Sequence, residues 1–232
     1  MATPGSTIAD RITDLIGATY ATIPNLSYKD LINSAFNEVA DMISEDLLLK
    51  YSAAPTPVTS SSGVSIEGKK VLKVIRVDAN SGGIERECLP LERTAFSAAR
   101  DSNSIYHSTV YSPVYSLDSM NAATTVVIYP DCNNSGQEGN IFYFAYATDA
   151  TDLTAVTAAL LNTSYFLPNN LIYAIVLKSS INILNAYISN QVQDEEDIEL
   201  MQMIQQQMQG LQKDFITEMQ RFVDESGKPG SE

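Results

Sequence analysis

The stretch that decides the architecture runs from Pro168 to Val223, PNNLIYAIVLKSSINILNAYISNQVQDEEDIELMQMIQQQMQGLQKDFITEMQRFV. Past Pro168 it holds no further proline, and Gly210 is its one glycine, so nothing obliges the backbone to break before Gly227. It reads as helix throughout, with room for one joint. In the first half Leu171, Ile175, Leu177, Ile181, Leu184, Ile188 and Val192 form a broad stripe in which steps of three and four residues predominate, the helical period. The second half is stricter. Met201, Ile204, Met208, Leu211 and Phe215 alternate steps of three and four, and Phe222 resumes the series a heptad later, after an interruption at Glu218 with Met219 beside it. A helix over 194–223 would be about 45 Å long. A domain of this size covers that length with difficulty, so part of the stripe is expected to meet another chain. The competing reading, ordinary core, stands beside it.

Working outward, 232 residues suffice for a good core, as one domain or as a domain with an inserted module. A hydrophobic fraction of 44%, with 12 Tyr and 7 Phe, excludes a wholly disordered chain. The formal charge of -14 argues against binding nucleic acid by phosphate neutralisation, which needs clustered Lys and Arg. The acid concentrates toward the C-terminus. Cys88 and Cys132 show no spacing that demands a bridge and no secretory leader precedes them, so two reduced thiols in a cytosolic protein are expected. No apolar run approaches the roughly 20 residues needed to cross a bilayer, which predicts a soluble protein without a membrane partner.

Taken in order, residues 1–6 are small and polar, and expected to be flexible unless a partner holds them. Thr7-x-x-Asp10 reads as a capping box opening a short helix whose face carries Ile8, Ile12, Leu15 or Ile16, and Thr19, before Pro24 breaks it. Ser27-x-x-Asp30 is a second box, with Leu26 and Leu31 as a hydrophobic staple, opening a helix predicted to reach Lys50. Pro55, Pro57 and the run Ser60-Ser61-Ser62-Gly63 make 52–65 a predicted linker. Val71–Val77 and Ile84–Leu89 flank Asn80-Ser81-Gly82-Gly83 and read as a hairpin; Leu91–Arg100 reads as a short helix; Val114–Leu117, Thr124–Tyr129 and Ile141–Tyr146 read as strands. Residues 149–161 give no firm assignment.

The predicted fold is therefore α+β: a helical bundle built from N- and C-terminal helices, an inserted antiparallel β-module, and a long C-terminal helix. The predicted boundaries are 7–51 for the N-terminal bundle helices, 52–65 for the linker and 66–148 for the β-module. A C-terminal bundle helix with its lead-in follows over 149–193, then the acidic and glutamine-rich helix over 194–225 and a flexible tail over 226–232.

Catalytic chemistry is thinly represented, and no catalytic, cofactor-binding or metal-ligating residue is assigned. The single histidine, His107, reads as a loop residue. No serine lies in a Gly-x-Ser-x-Gly turn. Gly68-Lys69-Lys70 lacks the upstream glycine and the hydroxyl of a phosphate loop. Asp194, Glu195, Glu196, Asp197 and Glu199 crowd five carboxylates into one helical turn and a half, where they would point in several directions, and a divalent ion needs convergent oxygens. They read as an acidic first turn favoured by the helix dipole. If such helices line a channel, the same charges could repel DNA phosphates from its wall. Gln202, Gln205, Gln206, Gln207 and Gln209 read as a neutral, hydrated face.

Four segments then carry a resemblance: Asp30-Leu31-Ile32-Asn33 with Ala35 and Glu38; Pro113-Val114-Tyr115-Ser116-Leu117; Val126-Val127-Ile128-Tyr129-Pro130; and Tyr143-Phe144-Ala145-Tyr146. In this order they resemble the head-to-tail adaptor, or connector, proteins of tailed bacteriophages, over roughly residues 7–190. Ile32 stands where the family often has an aromatic, and the acidic, glutamine-rich terminal helix is not a fixed family feature. The resemblance implies a non-enzymatic structural virion protein of the neck or tail, assembled in the host cytoplasm. It would form a ring of usually twelve copies between the portal protein and a tail or nozzle protein, with genomic DNA passing through without specific binding. Such a ring would carry a formal charge on the order of -170, which favours passage of DNA over adhesion. The expected interface with the portal or a neighbouring subunit is Met201, Ile204, Met208, Leu211, Phe215 and Phe222. The alternatives are another neck or tail-completion protein and, more remotely, a metal-dependent hydrolase using the 194–199 carboxylates.

Overall fold

The computed structural model describes residues 7–17, 27–52, 54–78, 82–118, 124–132, 137–148, 151–157, 161, 167–191 and 198–227. The chain divides into two compact units, one made of Met1–Leu47 with Ala147–Glu232 and the other of Leu48–Tyr146. The first is helical and discontinuous in sequence, and the second is the inserted β-unit.

In the helical unit, α1 (Ile8–Ile16) opens with the expected capping box: Thr7 N–H donates to Asp10 Oδ2 at 2.9 Å and Asp10 N–H to Thr7 Oγ1 at 3.1 Å. Ile8, Ile12 and Ile16 are buried on one face. The predicted extension to Thr19 and the Leu26 staple lie outside the described residues. α2 (Tyr28–Asp41) starts where Ser27 Oγ accepts the Asp30 N–H at 3.3 Å. It does not reach Lys50 as predicted: the helix stops at the C-cap Met42, and a separate α3 (Glu45–Leu49) follows. Glu45 and Asp46 explain the restart, because acids in a first turn complement the exposed amide dipoles.

The 168–223 stretch forms two helices, α5 (Asn169–Gln191) and α6 (Ile198–Gly227), and the joint between them lies outside the described residues. α4 (Arg93–Arg100) belongs to the β-unit. α5 is packed by α1, α2 and α6, and it is apolar on nearly every side rather than along one stripe. Leu171, Ile172, Ala174, Ile175, Val176, Leu177, Ile183 and Leu184 are all buried, the signature of a central helix. Ser179 and Ser180 are also fully buried, and each donates its hydroxyl to the carbonyl one turn back, Ile175 at 2.7 Å and Val176 at 2.8 Å. By length and composition Asn169–Asn190 is apolar enough to cross a membrane, which corrects the sequence expectation that no run approaches that length. Short polar residues interrupt the apolar run without lowering its mean hydropathy much, and 61% of an 18-residue window of it is buried within the fold. α6 ends at Gly227, two residues into the predicted flexible tail.

Among the described residues the β-unit holds two four-stranded sheets. The first is ordered β1 (Thr56–Val58), β8 (Gln137–Ala145), β3 (Lys69–Asp78), β4 (Ile84–Glu87), all antiparallel. The second is ordered β2 (Val64–Ser65), β7 (Thr125–Tyr129), β6 (Val114–Asp118), β5 (Leu89–Pro90), antiparallel except for the short parallel β5–β6 pair. Residues 52–65 are not a linker but carry β1 and β2: Val58 is buried, and Pro57 is tolerated because β1 is an edge strand. Ile84–Leu89 is not one strand, since the chain leaves the first sheet at Glu87 and joins the second at Leu89, with buried Cys88 between them.

Val58, Val74 and Ile141 of the first sheet cluster with Val126 and Ile128 of the second, together with Ile66, Cys88 and Cys132. Gly139 lets the strands approach: a Cβ there would collide with Ile128 Cδ1 and sit 3.1 Å from Val58 Cβ. α4 (Arg93–Arg100) covers the opposite face of the second sheet, where Phe96 and Ala99 pack with Val114, Val127 and Tyr129. The alternation Val126, Ile128 to one side and Val127, Tyr129 to the other is the strand period at work.

Candidate interaction surfaces

The α6 stripe is mostly core. Ile204 and Phe222 are 1% exposed, and Leu211 and Phe215 are buried, whereas Met201 and Met208 are half-buried. This corrects the expectation that the stripe is a protein interface: α5 supplies a partner along much of α6, so four of the six residues are enclosed within the helical unit. Two long helices that follow each other in the chain cover each other, so the length of α6 does not by itself require a second chain. What α6 leaves at solvent lies on other faces, with Ile198, Met203, Ile216 and Val223 all exposed.

Of the acidic run, Glu199 is exposed in the first turn of α6; Asp194, Glu195, Glu196 and Asp197 lie outside the described residues. Among the glutamines, Gln202, Gln205, Gln206 and Gln209 are exposed as expected. Gln207 departs from that reading. It is half-buried and donates to the Leu15 carbonyl at 3.0 Å, satisfying an orphan acceptor in the last turn of α1.

A polar cluster that sequence reasoning missed organises the re-entry of the chain into the helical unit. Asn33 Nδ2 donates to the carbonyls of Thr148 (3.0 Å) and Thr151 (2.9 Å). One turn on, Asn37 donates to the Ala147 carbonyl at 3.0 Å and accepts the Ala147 N–H at 2.9 Å. The first turn of α1 completes the attachment, with Ile8 and Ala9 N–H donating to the Val156 and Thr154 carbonyls. The backbone groups of Ala147, Thr148, Thr151, Thr154 and Val156 thus find partners without regular structure, in side chains and in a helix N-terminus. The available signal was an i,i+4 asparagine pair on α2, short uncharged amides among its charged and apolar residues.

Glu38, a turn beyond Ser34, joins α2 to α5: Lys178 Nζ lies 2.8 Å from Oε2, Ser34 donates at 2.9 Å and Asn182 at 3.4 Å to Oε1. Partial burial works to raise the Glu38 pKa, but the hydrogen bonds of Lys178 and Ser34 and the Lys178 charge outweigh it and leave it lowered.

In the β-unit, Arg76 is 1% exposed, donating from Nε to the Pro130 carbonyl (3.2 Å) and from Nη2 to Gln137 Oε1 (2.8 Å). Cys88 and Cys132 are free and buried in the same core; burial above all, with the neighbouring Cys132, pushes the Cys88 thiol up to about 12. His107 is half-buried with its ring edge-on to Tyr129, 6.0 Å between centroids. It borders an apolar cavity of about 460 Å³ lined by Leu89, Leu91, Ala95, Ala98 and Val114. Ile105, Tyr106 and Tyr111 are exposed in the loop between α4 and β6, and Arg86 stacks on Tyr111 at 5.0 Å. Among the described residues no group of His, Cys, Asp and Glu is arranged to hold a metal ion. Comparison with protein families, curated proteins and solved structures finds no match to this chain.

Proposed function

We propose that this chain is a structural virion protein, a head-to-tail adaptor that assembles as a ring between the portal and the tail and lets DNA pass. The observation that carries the reading is the order of the four adaptor-like segments, each of which supplies an element of the fold. Asp30–Glu38 lies on α2 and provides the Asn33 clamp. Pro113–Leu117 leads into and forms β6, Val126–Pro130 completes β7, and Tyr143–Tyr146 ends β8. The large side chains at solvent in both units, among them Leu89, Ile105 and Tyr106 in one and Ile216 and Val223 in the other, suit a protein whose work is contact with other macromolecules. The charge of -14 suits a wall that DNA slides past.

The test is to mix the purified protein with its portal protein and examine the product by negative-stain electron microscopy and native mass measurement. Uniform rings seated on the portal are expected. Two folded proteins that never associate would remove the assignment, and rings that bind tail but not portal would move it to another neck or tail-completion role.

A further inference from the structure

The C-terminal third of α6 carries a second apolar surface that the helical unit leaves open. Phe215, Ile216, Met219, Gln220, Val223 and Asp224 line a groove of about 710 Å³ whose other wall is Met42, the C-cap of α2. Met42 is 54%, Ile216 55% and Val223 49% exposed. Single exposed apolar residues are ordinary, but a concave set at helical spacing marks a contact site. Two methionines among the lining residues give a wall that adapts to its occupant.

Electrostatics decide what that occupant is. The groove gathers the C-terminal ends of α2 and α6, where each helix macrodipole presents about half a negative charge and where Lys, Arg or His would normally complement it. Neither last turn contains a basic residue. Acids stand there instead: Asp41 ends α2, Asp224 lines the groove, and Glu45 and Asp46 open α3 just beyond Met42, all four exposed. The bases of this part of α6 are Lys213 and Arg221, and Arg221 lies 4.0 Å from Glu218. An apolar groove with Asp224 on its wall, two helix C-termini without a base, and acids on either side of Met42 in the sequence is complementary to a cationic, amphipathic partner.

We propose that this groove receives a basic amphipathic helix from another protein. The lining residues 215–224 span about 13 Å of helix, room for two or three apolar anchors at i, i+3 or i+4, and i+7 with Lys or Arg flanking them. A second copy of this chain is a poor occupant. Among the described helices only α4 and α5 carry more base than acid, and both already bury their apolar faces in their own units. The inference goes beyond the adaptor reading and does not depend on it.

The test uses the full chain and a fluorescent synthetic peptide of leucine and lysine in amphipathic register, about five turns long, with the same peptide carrying glutamate for lysine as control. Anisotropy should show saturable binding of one leucine–lysine peptide per chain, weakened by salt, and none of the control. Ile216→Gln with Val223→Gln should lower affinity at least about tenfold, and so should Met42→Gln from the opposite wall, while Met203→Gln, exposed on α6 outside the groove, changes nothing. Circular dichroism establishes that each variant is folded, and having variants on both walls keeps the test decisive if one is not. Groove variants that bind like the parent overturn the proposal, as does equal binding of the glutamate peptide. Light scattering that shows self-association abolished by the same variants also overturns it, in favour of a second copy.

Discussion

Replacing Asn33 by alanine should detach the segment that leads into α5. Asn33 is 6% exposed, and its amide makes two hydrogen bonds at 2.9 and 3.0 Å to carbonyls of Thr148 and Thr151. Each such bond contributes on the order of 1 kcal/mol net, and with Thr148 exposed and Thr151 half-buried the freed carbonyls can turn to water. Asn33 Oδ1 is itself buried without a hydrogen-bond partner, and removing it relieves part of the cost. The expected loss is about 2 kcal/mol, which for a chain of this size lowers the unfolding temperature by about 4–8 °C. Asn33→Asp should be worse, since it keeps the shape but turns a carboxylate toward two carbonyls. Hydrogen exchange localises the effect: the amides of Ala147, Ile8 and Ala9, which donate within this attachment, should lose protection before those of β3 and β8. An Asn33→Ala protein with unchanged melting temperature and unchanged exchange at these three amides would refute the clamp.

Phe222→Ala should cost about 3–5 kcal/mol by leaving a cavity, whereas Ile216→Ser on the same helix should stay within about 0.5 kcal/mol, as urea titration can show. Equal effects would return the stripe to the surface. Native Cys88 should resist iodoacetamide at mildly alkaline pH, because its folded pKa near 12 leaves almost no thiolate; its stabilising effect is complete below the unfolded thiol value and fades as pH rises toward the folded one. Mass spectrometry reads the labelling, and rapid modification of the folded chain would contradict the burial. Glu38 works in the other direction: its lowered pKa stabilises the fold above the unfolded carboxylate value and the benefit is lost as pH falls through the folded one. With the carboxylate partly exposed, the effect should be less than about 1 kcal/mol, and acid titration of Glu38→Gln should lack it.

The helices were legible because their signals are local. Capping residues at Thr7 and Ser27 and an unbroken apolar pattern after Pro168 need no knowledge of distant partners. The hairpin and the later strands were legible by alternation and turn chemistry. The short strands were not: β1 and β2 hold three and two residues and pair with β8 and β7, far away in the chain, while prolines and serines advertise a loop. The split of Ile84–Leu89 between two sheets is likewise a tertiary event at Cys88. For the candidate surface the sequence misled in one respect. Periodicity marks the apolar face of α6 but does not say whether α5 or another protein covers it, and the open face centred on Ile216 and Val223 is shorter and weaker as a pattern.

The discontinuity of the helical unit has a consequence for synthesis. α2 ends at Asp41 and the central helix α5 begins at Asn169, so the two halves of that core leave the ribosome some 130 residues apart, about 6–25 s at usual elongation rates. During that interval the contiguous 48–146 unit can already close, while Ile12, Ile32, Phe36 and Val39 wait for their counterpart. A nascent chain stalled before residue 169 would therefore display one finished fold and one sticky, half-built one. That makes the upstream helices the natural place for a chaperone to hold it.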